Sequence, residues 1–114
     1  MAGLTPAVSR GDVVLVAAGS GFGGKPRPAL VIQADAYSEL STIVVALFTT
    51  TLTGTTLRPH LRPATGNGLM QPSDLMVDIL VTVRRDRIGD VLGRLSPADM
   101  TQVERALLVF LGFA

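Results

Sequence analysis

The chain contains no cysteine and no tryptophan, and it has one histidine and one tyrosine. Without cysteine, neither a disulfide framework nor a thiolate metal site can form. A lone imidazole, His60, cannot assemble a zinc centre. Aromatic residues amount to 4%, too few to line an aromatic groove of the kind that grips extended peptides, which argues against a non-catalytic peptide-binding module. No apolar run approaches the ~18–20 residues of a membrane span; the longest, residues 43–48, has strand length. Residues 1–9 lack the basic start and apolar centre of a signal peptide, so a cytoplasmic protein with no membrane partner is expected. The net charge is only +1, which excludes a generic binder of polyanions. Repeats and low-complexity segments are also missing.

What the chain does have is apolar residues. They make up 47% of 114 residues, and the mean hydropathy is +0.45. That length supports one domain, residues 1–114, with one core. With no membrane span to absorb the excess apolar surface, it is expected at a subunit interface, hence a homodimer. Residues 12–17 (Asp-Val-Val-Leu-Val-Ala), 28–33 and 42–49 are β-branched and bounded by turn residues, and each reads as a strand. Residues 34–40 form a turn or a single helical turn. Residues 57–62 place Arg58, His60 and Arg62 on one face if extended, and Pro59 confines that segment to an edge. Gly66-Asn67-Gly68 signals a turn, 75–83 a core strand, 84–87 a turn and 91–95 a brief pairing segment.

The final segment predicts the one clear helix. Ser96 is its N-cap, Pro97 its first residue, and Asp99 completes a near capping box. Met100, Val103, Ala106, Leu107, Phe110 and Leu111 recur on a single face. Several short strands followed by one covering helix predict a β-rich α+β fold, a small antiparallel barrel or strongly bent sheet with a C-terminal helix.

The cations are clustered: Lys25 with Arg27, then Arg58, His60 and Arg62, then Arg84, Arg85 and Arg87. Such patches can attract nucleic acid without a strongly basic total. The third cluster is equally a solvated turn. In Lys25-Pro26-Arg27-Pro28, two prolines with φ near −65° extend the residues that precede them and stiffen the segment that carries Arg27. The four glycines between 19 and 24 let the preceding loop bend close to a bound backbone. A guanidinium held this way can engage two phosphate oxygens; the alternative is a solvated charge at a strand entrance.

Arg10-Gly11-Asp12-Val13-Val14, a glycine-rich loop, and Lys25-Pro26-Arg27-Pro28-Ala29-Leu30-Val31-Ile32 together resemble the opening of the MazF/PemK-like toxins of type II toxin–antitoxin systems. The resemblance continues through Val44-Val45-Ala46-Leu47-Phe48-Thr49, residues 74–95 and Ser96-Pro97-Ala98-Asp99, and it is poorest at 17–22 and 50–71. It implies an SH3-like barrel of the CcdB/MazF type, a homodimer, and a metal-independent endoribonuclease acting on single-stranded RNA through the RNA's own 2′-hydroxyl. It also implies a cognate antitoxin whose tail covers the RNA groove. No metal or cofactor is called for.

That chemistry needs a proton acceptor for the 2′-hydroxyl, a stabiliser for phosphorane charge and a proton donor for the leaving 5′-oxygen. Arg27 suits the second role, and the resemblance makes it catalytic. Thr49, which ends the third strand, is its implied catalytic partner; its hydroxyl can orient a phosphate or relay a proton. Lys25, Thr50, Arg58, His60 and Asp78 are candidate RNA contacts, with Thr50 and Thr51 also readable as turn formers. From the residues alone His60 would be the general base, since an imidazole ordinarily changes charge near neutrality. The resemblance does not support that role, because the histidine used by one branch of the family lies in the first loop. Asp78 matches an acidic family position that binds RNA or acts as base; its other reading is a salt-bridge anchor. Ile79, Leu80 and Val81 follow it where family members often carry Gln or Arg. The runner-up on the same fold is a CcdB-like gyrase-inhibiting toxin, a binding protein that works through its C-terminal helix end. This chain also ends apolar, but that mechanism has no use for a phosphate-gripping loop.

Overall fold

The computed structural model describes residues 7–17 and 25–114. The lead-in at 1–6 and the glycine-rich segment at 18–24, on which the close-approach loop was placed, lie outside the described residues. Six strands are present among the described residues: β1 (Asp12–Val16), β2 (Arg27–Val31), β3 (Thr42–Thr49), β4 (His60–Leu61), β5 (Ser73–Arg84) and β6 (Ile88–Arg94). They are followed by helix α1 (Pro97–Phe110). Single 3₁₀ turns at Asp35–Tyr37 and Arg85–Arg87 join β2 to β3 and β5 to β6, where the sequence predicts turns.

The strands form one antiparallel sheet in the order β4-β5-β3-β2-β1-β6. The first three strands follow one another as neighbours. β5 joins the far side of β3, and β6 returns across the molecule to pair with β1. The curled sheet with one C-terminal helix is the bent antiparallel architecture expected from the strand pattern. Both faces are apolar. One carries Val13, Leu30, Ala46 and Leu75 and is closed by Val103 and Leu107 of α1. The other carries Val14, Ala29, Val31, Val45 and Leu47 with Val8 and Ile88.

A bulge in β5 lets it serve both faces. Ala46 pairs with Leu80 and Phe48 with Leu75, so a step of two residues along β3 matches a step of five along β5. Leu75 and Val77 therefore face α1, whereas Val81 and Val83 face the opposite cluster. The loop after β4 then folds back on β6, where the Arg94 amide donates to Gly66 O at 2.8 Å. Asn67, 2% exposed, organises that loop. Its Oδ1 accepts from the Ala64 and Leu69 amides, and its Nδ2 donates to Arg62 O.

Three expectations are corrected. The extended segment at 57–62 contains only a two-residue strand, His60–Leu61, because Pro59 and Pro63 limit ladder donors on either side. Arg62 instead enters the 62–68 loop. The brief segment at 91–95 is a seven-residue strand, Ile88–Arg94, registered along β1 through two irregularities that tolerate its glycines. The helix begins as predicted, with Asp99 N–H donating to Ser96 Oγ at 3.1 Å, but its apolar stripe is buried only through Leu107. Phe110 and Leu111 are 43% and 50% exposed, and the helix residues buried against the sheet are Val103 and Leu107.

Candidate active site at one end of the sheet

Residues directly opposite one another on antiparallel strands project from the same face. Arg27 is opposite Val16, and Thr49 and His60 are both opposite Asp74. Ala29 pairs with Leu47, and Arg27 and Thr49 each lie two residues beyond that pair, on the same face of their strands. Arg27, Thr49, Asp74 and His60 thus form one row across β2, β3, β5 and β4, at the end of the sheet where β3 leaves it. The row lies on the face opposite α1, that of Val16 and Leu47.

Within the row the polar contacts are specific. Asp74 is almost fully enclosed, its side chain 4% exposed, and its Oδ1 lies 3.0 Å from His60 Nδ1. Its Oδ2 accepts the Thr53 amide at 3.4 Å. His60 is 42% exposed, so its ring is tethered at one nitrogen and open to solvent elsewhere. Thr49 Oγ1 accepts the Thr51 amide at 3.1 Å, which fixes the chain as it leaves β3 and keeps the hydroxyl proton available as a donor. Arg27 and Lys25 are exposed at the entry to β2, and Thr50 is exposed just past β3.

Beside the row, Arg58 and Asp78 form a fork: Nε to Oδ1 and Nη2 to Oδ2, both at 2.9 Å. The two side chains are 19% and 23% exposed. The Arg58 hydrogen bonds hold the Asp78 carboxyl below the usual carboxylate range, against the opposing effect of burial. Hydrogen bonding to Asp78 likewise raises Arg58. A carboxyl with a depressed folded-state pKa contributes stability above its unfolded value and loses it as pH falls through the folded value. Asp78→Asn is therefore expected to cost about 1 kcal/mol at neutral pH. That difference should hold down to about pH 4 and shrink below it, as read from urea melts at a series of pH values. A difference independent of pH would show that the fork is not charged.

Of the residues singled out in the sequence, Arg27, Thr49, Arg58, His60 and Asp78 converge here, with Lys25 and Thr50 at the same end. The fork with Arg58 is the salt-bridge anchor, the other reading of Asp78. The third basic cluster does not join them: Arg84 pairs with Thr42, at the opposite end of β3, and bonds Asp86. The residue that sequence reasoning missed is Asp74. Pro72-Ser73-Asp74 ahead of an apolar run looks like an ordinary turn, and only its register with His60 and Thr49 distinguishes it.

The site can be set beside known proteins. A family model described as PemK-like, MazF-like toxin of type II toxin–antitoxin system matches residues 9–111. A relative in Mycolicibacterium smegmatis, named "Probable endoribonuclease MazF", is 42% identical over 106 residues, covering 92% of this chain and 97% of the relative. "Endoribonuclease MazF6" of Mycobacterium tuberculosis is 30% identical over 106 residues, covering 88% of this chain and 93% of its own length. A solved structure described as an endoribonuclease in complex with its cognate antitoxin, from a mycobacterial species, superposes with a TM-score of 0.81 at 26% identity, covering 95% of this chain and 98% of that one. Among the described residues no helix is long and apolar enough to cross a membrane. The gyrase-inhibitor reading is set aside, because the matched family spans the arginine–proline segment, the third strand and the capped helix together. The chain belongs to the PemK-like, MazF-like toxins of type II toxin–antitoxin systems.

Proposed function

We propose that this chain is a metal-independent endoribonuclease that cuts single-stranded RNA by attack of the RNA's own 2′-hydroxyl on the adjacent phosphorus. The observation that carries the reading is the row that brings Arg27, Thr49, Asp74 and His60 to one end of the sheet. In the reaction the O2′–P bond forms and the P–O5′ bond breaks, leaving a 2′,3′-cyclic phosphate and a 5′-hydroxyl. Arg27 stabilises the charge that builds on the phosphorane, since its guanidinium stays protonated and can bind two oxygens. Thr49 donates its hydroxyl proton to a phosphate oxygen and orients it. Lys25 and Thr50, at the same end, contact the RNA backbone on either side of the cut. The Arg58–Asp78 fork borders the groove and holds its two charges fixed for RNA contact.

The physiological partners follow from the same reading. A cognate antitoxin binds over this end of the sheet and blocks RNA. Two copies of the chain pair through apolar surface left uncovered by the fold, to which Val109, Phe110 and Leu111 contribute. The whole of residues 1–114 acts as one toxin domain in the cytoplasm, where mRNA is found. Purified protein is expected to cut a long single-stranded transcript in excess EDTA, and end analysis should find 5′-hydroxyl and cyclic-phosphate termini. Cleavage that depends on added divalent metal, or 5′-phosphate ends, would overturn the mechanism.

A further inference from the structure

The reaction still lacks a group to take the 2′-hydroxyl proton, and Arg27, Thr49 and Lys25 are unsuited to it. We infer that His60 is that base and that Asp74 is the residue that positions it. The inference rests on the endoribonuclease reading above and deepens it.

The geometry assigns the roles. A carboxylate only accepts, so with Asp74 Oδ1 at 3.0 Å the His60 Nδ1 must carry the proton. In the neutral ring Nε2 is then left with its lone pair, the form a base requires. Asp74 is itself held, since it is enclosed and its Oδ2 accepts the Thr53 amide. The His60 side chain is 42% exposed, so substrate can reach the ring. The backbone of His60 lies three strand spacings from that of Arg27, about 14 Å. An arginine, a histidine and one phosphate between them span that gap on a shared face. The 2′-hydroxyl proton passes to Nε2 as the O2′–P bond forms, and the departing 5′-oxygen takes a proton from water. The imidazolium returns its proton to solvent between turnovers. A bond made only to pin β4 onto β5 would need no ionisable ring on an exposed side chain.

The charged group in contact with the ring is Asp74 on β5, and Arg58, just before β4, is forked to Asp78.

Steady-state cleavage of a long single-stranded transcript in EDTA, measured from pH 5 to 9, tests the inference. His60→Gln should lower kcat by about 10²–10³-fold, change KM by no more than a few-fold, and erase the acidic limb. Asp74→Asn should do nearly as much. Its carbonyl oxygen must face the Thr53 amide, so its NH₂ would confront His60 Nδ1 and force the proton onto Nε2. If that buried variant melts early, His60→Gln and its pH profile decide alone. A His60→Gln variant with wild-type kcat, a loss confined to KM, or an unchanged acidic limb would overturn the inference. If Arg27→Ala is inactive while His60→Gln cleaves normally, the endoribonuclease reading stands without this base. If the wild-type protein leaves the transcript intact, both readings fall together.

Discussion

Arg27→Ala is expected to lower RNA cleavage by about 10²–10³-fold, the usual cost of removing a donor aimed at developing transition-state charge, and to abolish growth arrest on expression. The fold should survive. Arg27 is exposed at the first position of β2, its backbone pairs with Val16 whatever the side chain, and Pro26 and Pro28 stiffen the segment independently of it. A cooperative thermal melt of the variant checks that the fold is intact. Arg27→Lys should fall between the two, because an ammonium keeps the charge and loses the two-pronged geometry. The fold-change is read from single-turnover cleavage of the same transcript in EDTA. Cleavage by Arg27→Ala within two- or three-fold of wild type would remove the phosphate-gripping role and with it the central step of the mechanism.

A large loss of stability is expected elsewhere, at Gly68. Its φ is +74°, and an added Cβ would sit 2.7 Å from the backbone carbon and oxygen of Leu92 on β6. Two costs combine: left-handed backbone carrying a side chain, and overlap with main chain that cannot move aside. Together they should reach about 3 kcal/mol for Gly68→Ala, at the high end for single substitutions, or roughly 10 °C in Tm for a domain of this size. Gly66 supplies the control. Its φ is +86° with open space where a Cβ would go, so Gly66→Ala should cost only about 1 kcal/mol. The contrast isolates packing from conformation, because both glycines belong to one loop. Similar melting temperatures for the two variants would mean that the loop does not close tightly on β6. The same loop continues from β4, which carries His60.

Local chemistry made some of this molecule readable before any fold was known. β3 runs over Thr42–Thr49 as predicted, because eight largely β-branched and apolar residues between polar turns leave little else for the chain to do. Helix α1 starts at Pro97 as predicted, because a capping serine, a proline and an acidic first turn are all local signals. The edges were less legible. β4 is short and proline-bordered, and β6 carries Gly89 and Gly93; neither has a pattern of its own, and both are strands because a neighbour offers hydrogen bonds. Gly93 is needed because a Cβ there would overlap the backbone of Gly66 and Asn67, a requirement set by residues far away in sequence.

The candidate site divides along the same line. Arg27 and Thr49 could be named from the amino acids around them, as could the stiffness of the segment holding Arg27. That Thr49 and His60 share Asp74 as a cross-strand partner could not be named, nor could the fork between Arg58 and Asp78, twenty residues apart. By itself the sequence determined the alternation of short strands, the capped helix, the basic edge before β2 and the membership of a toxin family. The tertiary structure alone decided which edge strands form, that the last helical turn stays uncovered, and that an aspartate with no local signature holds the histidine. The reason is the range of the forces involved. Propensity, capping and proline geometry act within a few residues. Register, strand closure and burial depend on pairings such as that of Arg94 with Asp12, separated by 82 positions, which exist only once the chain has folded.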